Sequence, residues 1–143
     1  MRKTLLLLAA TMSMVAIPGS AVSGAEQRAV AGPAGFASGY LTTTITMSKG
    51  DSLVFTNLDV FEHDLVHDTA GDGFGGKRNV AWCKKSSEHA HDHSGACPVF
   101  WSDLIGAGDS TEVMGLNRVK PGKTYSFLCT KHHNMKGKLI VKP

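Results

Sequence analysis

Near the end of the chain a thiolate, an imidazole and a thioether stand within seven residues, as Cys129, His132 and Met135 in Cys129-Thr130-Lys131-His132-His133-Asn134-Met135. Two residues separate each donor from the next. A strand ending at Cys129 and a tight loop after it can therefore turn all three toward one point. Soft thiolate and thioether with borderline imidazole favour copper, because hard cations prefer oxygen and structural zinc takes four strong donors. Two histidines and a cysteine around the metal, with a weak axial methionine, make the electron-transfer copper geometry. The missing histidine is expected far upstream at His63, in Asn57-Leu58-Asp59-Val60-Phe61-Glu62-His63-Asp64-Leu65-Val66, just past an expected strand.

Each donor has a plainer explanation. Unpaired cysteines are often buried core residues and methionines often fill core gaps. A core cysteine alone does not account for His132 and Met135 at ligand spacing. Cys83 and Cys97 bracket a polar segment, and an odd cysteine count in an exported chain predicts one disulfide between them, with Cys129 left over. Closing that loop would stabilise by about 3 kcal/mol in the chain-entropy model. Inside it, His89, His91 and His93 alternate. In an extended segment they would share one face and could form a second copper or zinc site; a solvated polar loop is the alternative.

The elements that must position these donors read as mostly β. Tyr40 to Met47 and Ser52 to Asn57 are rich in β-branched or alternating apolar residues and flank Ser48-Lys49-Gly50-Asp51, a pattern that predicts a hairpin. Pro121-Gly122 is a turn signal, Thr124 to Cys129 alternates Tyr125 and Phe127, and Lys138 to Lys142 makes a last strand, so a second hairpin is expected to close the chain. Residues 26–37, rich in Ala and Gly, are expected as a flexible N-terminal arm, and residues 69–110 as an irregular insert before the last hairpin.

Met1-Arg2-Lys3 followed by the apolar run Leu5 to Ile17 and small residues up to Ala25 reads as a secretory signal over residues 1–25. Export to the periplasm or the extracellular space is expected, with no membrane span after cleavage. Cleavage removes Arg2 and Lys3 from a chain of formal charge +3, so nothing suggests a nucleic-acid surface. The rest suffices for one domain, 38–143. Gly71-Asp72-Gly73-Phe74-Gly75-Gly76 fits the glycine spacing of a nucleotide-binding turn but lacks its strand-to-helix context. No hydrolase elbow, phosphate loop or paired catalytic carboxylates appear, so no enzyme is expected.

With these residues in view, the chain resembles the cupredoxins, the plastocyanin and amicyanin group in particular. Asn57, Asp59 and His63-Asp64-Leu65-Val66 are similar to the family's first-ligand segment, and Pro121-Gly122-Lys123-Thr124-Tyr125-Ser126-Phe127 to the hairpin before its cysteine. The short gap between His132 and Met135 resembles amicyanin's loop. Asp64 stands where relatives commonly have Asn, and Lys131 where they often have Pro; both positions bear on hydrogen bonds around the ligands. The resemblance implies an all-β Greek-key sandwich of about eight strands, with one type 1 copper near one end. It also implies His132 rather than His133 as the loop ligand, at the surface within an apolar patch. The implied function is single-electron transfer by a monomer between redox protein partners. Copper buffering or delivery through the His-rich insert is the alternative; a multi-domain oxidase would need a second copper centre and further domains.

Overall fold

The computed structural model describes residues 24–72, 97–132 and 134–143. Among these, seven strands form two sheets, where about eight strands were expected. The first sheet has the order β1-β3-β5 and the second β2-β7-β6-β4. Their ranges are β1 Glu26–Ala31, β2 Thr44–Met47, β3 Ser52–Asn57, β4 Val66–His67, β5 Ser110–Glu112, β6 Thr124–Leu128 and β7 Lys136–Val141. Two short helices, α1 Gly35–Ser38 and α2 Thr69–Asp72, and a 3-10 turn at Leu116–Arg118 complete the described elements.

Period-two alternation makes this a sandwich. Leu53 and Phe55 on β3, Ile45 and Met47 on β2, Tyr125 and Phe127 on β6, and Leu139 and Val141 on β7 are all buried in one core, each strand turning alternate side chains inward. Tyr40 lies between the two sheets, edge-on to Phe127 at 5.2 Å between ring centres and to Phe55 at 6.1 Å. Such aromatic contacts hold the layers together beyond the area they bury.

The closing hairpin forms as expected. β6 and β7 pair antiparallel from Thr124 opposite Ile140 to Leu128 opposite Lys136. The expected hairpin of residues 40–57 does not form. β2 instead pairs parallel with β7, and β3 pairs parallel with β1 and antiparallel with β5. The turn between them, with Gly50 at φ 99 and the Asp51 carboxylate accepting the Ser48 N–H at 2.7 Å, carries the chain from one sheet to the other. Both strands then present their apolar sides to the shared core.

Residues 26–37 are likewise not an arm. β1 runs in register with β3 from Glu26 opposite Ser52 to Ala31 opposite Asn57, and Ala29 and Ala31 are fully buried. Small side chains let β1 lie close over the core while adding little apolar pattern to the sequence. Part of the expected insert also belongs to the sandwich. Val99, Phe100 and Trp101 are buried, and Trp101 bridges Val66 and Met114. Residues 73–96 of the expected insert, with Cys83, His89, His91 and His93, lie outside the described residues, as does His133.

Candidate metal centre

His63 is set by the loop that follows β3. Asn57, buried at the end of that strand, donates through Nδ2 to the carbonyls of Phe61 at 2.7 Å and Ile105 at 3.0 Å, and its Oδ1 accepts the Asp59 N–H at 2.9 Å. The amide thus serves as a template for residues 57–63. His63 itself exchanges both backbone hydrogen bonds with Ile105, at 3.1 and 2.9 Å. Its ring is fully buried, with Nε2 2.9 Å from Oδ2 of Asp59.

Cys129 and Met135 are set by the loop between β6 and β7. The Cys129 N–H donates to the Met135 carbonyl at 3.1 Å and the Met135 N–H to the His132 carbonyl at 2.8 Å. The short loop is thereby closed on itself, with Cys129 and Met135 fully buried and His132 half-buried. Asp64 fastens it from the other side: its carboxylate accepts the Thr130 N–H at 2.7 Å and the Thr130 hydroxyl. The Tyr40 hydroxyl donates to the Asp64 carbonyl. Outside, Lys131 pairs with Glu62 across the two loops.

Three donors converge. Cys129 Sγ lies 3.7 Å from Nδ1 of His63 and 3.7 Å from Nδ1 of His132, and the two nitrogens are 3.0 Å apart. A triangle with these edges has a point on the order of 2 Å from all three atoms, the length of an imidazole–metal bond. Among the described residues these three form a potential metal-holding group. Met135 belongs to the same pocket. A side-chain carbon added at Gly35 would lie 3.2 Å from the Met135 methyl, 3.3 Å from Asp59 Oδ2 and 3.5 Å from His63 Nε2. One thiolate, two imidazoles and a neighbouring thioether, largely closed to water, fit one type 1 copper ion.

Burial dominates the electrostatics of the site. Burial, and secondarily the Asp64 charge, pushes the Cys129 thiol up to about 11. Burial, then the neighbouring His63 ring, lowers His132. Burial raises Asp64 despite its bonds from Thr130. At Asp59 burial acts upward, but hydrogen bonds from His63, Val60 and Gly35 outweigh it and hold the carboxyl at about 2. A positive ion bound beside the buried thiol would favour its thiolate form and offset that burial.

Several contributors were not singled out from the sequence. Phe36 and Phe61 stack edge to face at 5.1 Å, and both rings lie 6.4 Å from the His132 ring. Both are nearly half exposed, so an apolar rim surrounds the accessible imidazole. Gly35 and Thr130 also escaped notice, because a lone small or polar residue carries no periodic signal. The Asp59 position, four residues before His63, was the one available hint of its contact.

A small β-sandwich that gathers this donor set beyond the end of a core strand defines a cupredoxin, a copper-binding electron-transfer protein. The sequence pattern of the copper-binding proteins of the plastocyanin/azurin family matches residues 31–142, and the chain belongs to that family. Solved structures share the fold. Auracyanin from the photosynthetic bacterium Roseiflexus castenholzii is 18% identical, with a TM-score of 0.56 over 85% of this chain and 99% of that one. An azurin from the obligate methylotroph Methylomonas sp. strain J is 16% identical, with a TM-score of 0.57 over 83% and 98%. A purple cupredoxin from Nitrosopumilus maritimus is 16% identical, with a TM-score of 0.53 over 81% and 99%. A search of curated protein sequences finds no match to this chain.

Proposed function

We propose that this protein carries single electrons through one type 1 copper held by His63, Cys129, His132 and Met135. The observation that carries this reading is the meeting of both Nδ1 atoms and the sulfur in one triangle beside the buried Met135. Copper bound there would supply one-electron chemistry by alternating between two oxidation states. The residues do the rest. Asn57, Ile105 and the loop hydrogen bonds hold the donors in place, so little needs to move with the electron. Burial of His63, Cys129 and Met135 excludes water, and His132 opens a route to the surface between Phe36 and Phe61. Redox protein donors and acceptors would dock on that rim.

Delivery of copper would call for exposed, exchangeable ligands, whereas three of these four are fully buried. We also propose export after removal of residues 1–25, a Cys83–Cys97 disulfide, action as a monomer and no catalytic turnover of its own. The buried Cys97, and the assignment of the free Cys129 to the metal, support the pairing. Visible and electron-paramagnetic-resonance spectra of the copper-loaded protein test the central reading. An intense thiolate-to-copper band that vanishes in Cys129→Ser is expected. No such band, or one that persists in the variant, would sink it.

A further inference from the structure

Asp59 occupies a position that no ligand assignment explains. The residue is 2% exposed, and both its carboxylate oxygens are engaged. Oδ1 accepts the Val60 N–H at 2.7 Å. Oδ2 accepts the Gly35 N–H at 2.7 Å and lies 2.9 Å from Nε2 of His63. A carboxylate that takes two backbone N–H bonds is favoured in its ionised, acceptor-only form. The hydrogen between Asp59 and His63 therefore belongs to Nε2. In neutral imidazole a proton on Nε2 leaves a lone pair on Nδ1, and Nδ1 is the atom that faces Cys129 Sγ and His132.

The placement of Asp59 is itself held from two directions. Its N–H is bound by the Asn57 amide at 2.9 Å. Gly35 reaches it from the other side of the pocket, where Ala34 at φ 58 and ψ 30 turns the chain into α1. A side chain at Gly35 would press on Asp59, His63 and Met135 together.

We propose that Asp59 is the positioning residue of the metal centre, selecting the His63 tautomer and, through its negative charge on Nε2–H, strengthening Nδ1 as a donor so that copper(II) is favoured over copper(I). A carboxylate behind a ligating histidine fixes the ring and raises its basicity, and losing such a partner changes metal affinity by about 10- to 100-fold. A stronger nitrogen donor favours the more highly charged ion, so the expected direction is a lower reduction potential. This inference rests on the copper reading above and extends it to the redox balance of the site.

The experiment is a redox titration of copper-loaded wild type and Asp59→Asn, with spectra of both. Asn retains the size and one acceptor oxygen but not the charge. The variant should keep its thiolate-to-copper band while its copper(II) to copper(I) affinity ratio falls about tenfold, a rise in potential of roughly 59 mV for one electron. A potential that stays or falls overturns the proposal, and a role confined to satisfying Val60 and Gly35 would produce that result. Should Asp59→Asn fail to fold, the diamagnetic copper(I) wild type gives a second reading. His63 Nε2–H should appear by nuclear magnetic resonance as a downfield, slowly exchanging proton, and a nitrogen without one overturns the idea. A wild type lacking the band would remove the copper reading, whereas a normal wild-type spectrum with an unshifted variant removes the Asp59 proposal alone.

Discussion

Cys129 shows how far one residue's chemistry can be followed. Its place among ligand types within one loop was legible in the sequence, whereas its reluctance to ionise comes from burial and from Asp64, which only the fold brings near. Because the thiol is raised from the usual 9.0 to about 11, folding of the metal-free protein favours the protonated form. The unfolded chain loses this proton first as pH rises, so metal-free stability should decline from about pH 9 to about 11 and level off above it. Cys129→Ser should flatten that decline, and chemical denaturation across this range checks it. The same proton competes with copper: below about pH 11, affinity should fall as pH falls, and a competition titration would show proton release on loading.

Among the elements, β6 and β7 illustrate what alternation and a turn signal convey, since the hairpin they predicted is the one that forms. The same signals misled at β2 and β3. Alternation says which side of a strand is apolar and is silent on which neighbour it pairs with, and two strands facing each other across a core look like two strands side by side. β1 was missed because alanines bury completely with little hydrophobic pattern. Gly137, opposite Phe127 in the β6–β7 register, marks a place where the pairing demands a particular residue. A Cβ there would overlap the Phe127 ring, which is fully buried and packed on Tyr40. Gly137→Ala should therefore destabilise the protein by about 1–3 kcal/mol through overpacking. A lower denaturant midpoint at unchanged slope is the expected result, and an unchanged midpoint would mean that the ring has room to yield.

For the whole molecule, the centre joins segments far apart in the chain: Cys129 and His63 are separated by 66 positions, yet their donor atoms meet. The unfolded chain cannot hold these ligands together, so copper binds the folded state and stabilises it. Free metal at a hundredfold excess over its dissociation constant should add about 2.7 kcal/mol. Calorimetry with and without copper(I) should show a higher melting temperature for the loaded wild type. Cys129→Ser should lose most of that gain, and an equal gain in both proteins would place the metal elsewhere.

The sequence by itself determined the β class, the closing hairpin and the donor types, because these depend on local periodicity and on the chemistry of side chains close together in one loop. Only the tertiary structure decided that β2 and β3 lie in opposite sheets, that residues 26–31 belong to the core, and that Gly35 joins Asp59 behind His63. Those are contacts between distant segments. They are selected by which packing buries the apolar faces and satisfies the buried N–H groups at once, and no short stretch of residues records that choice.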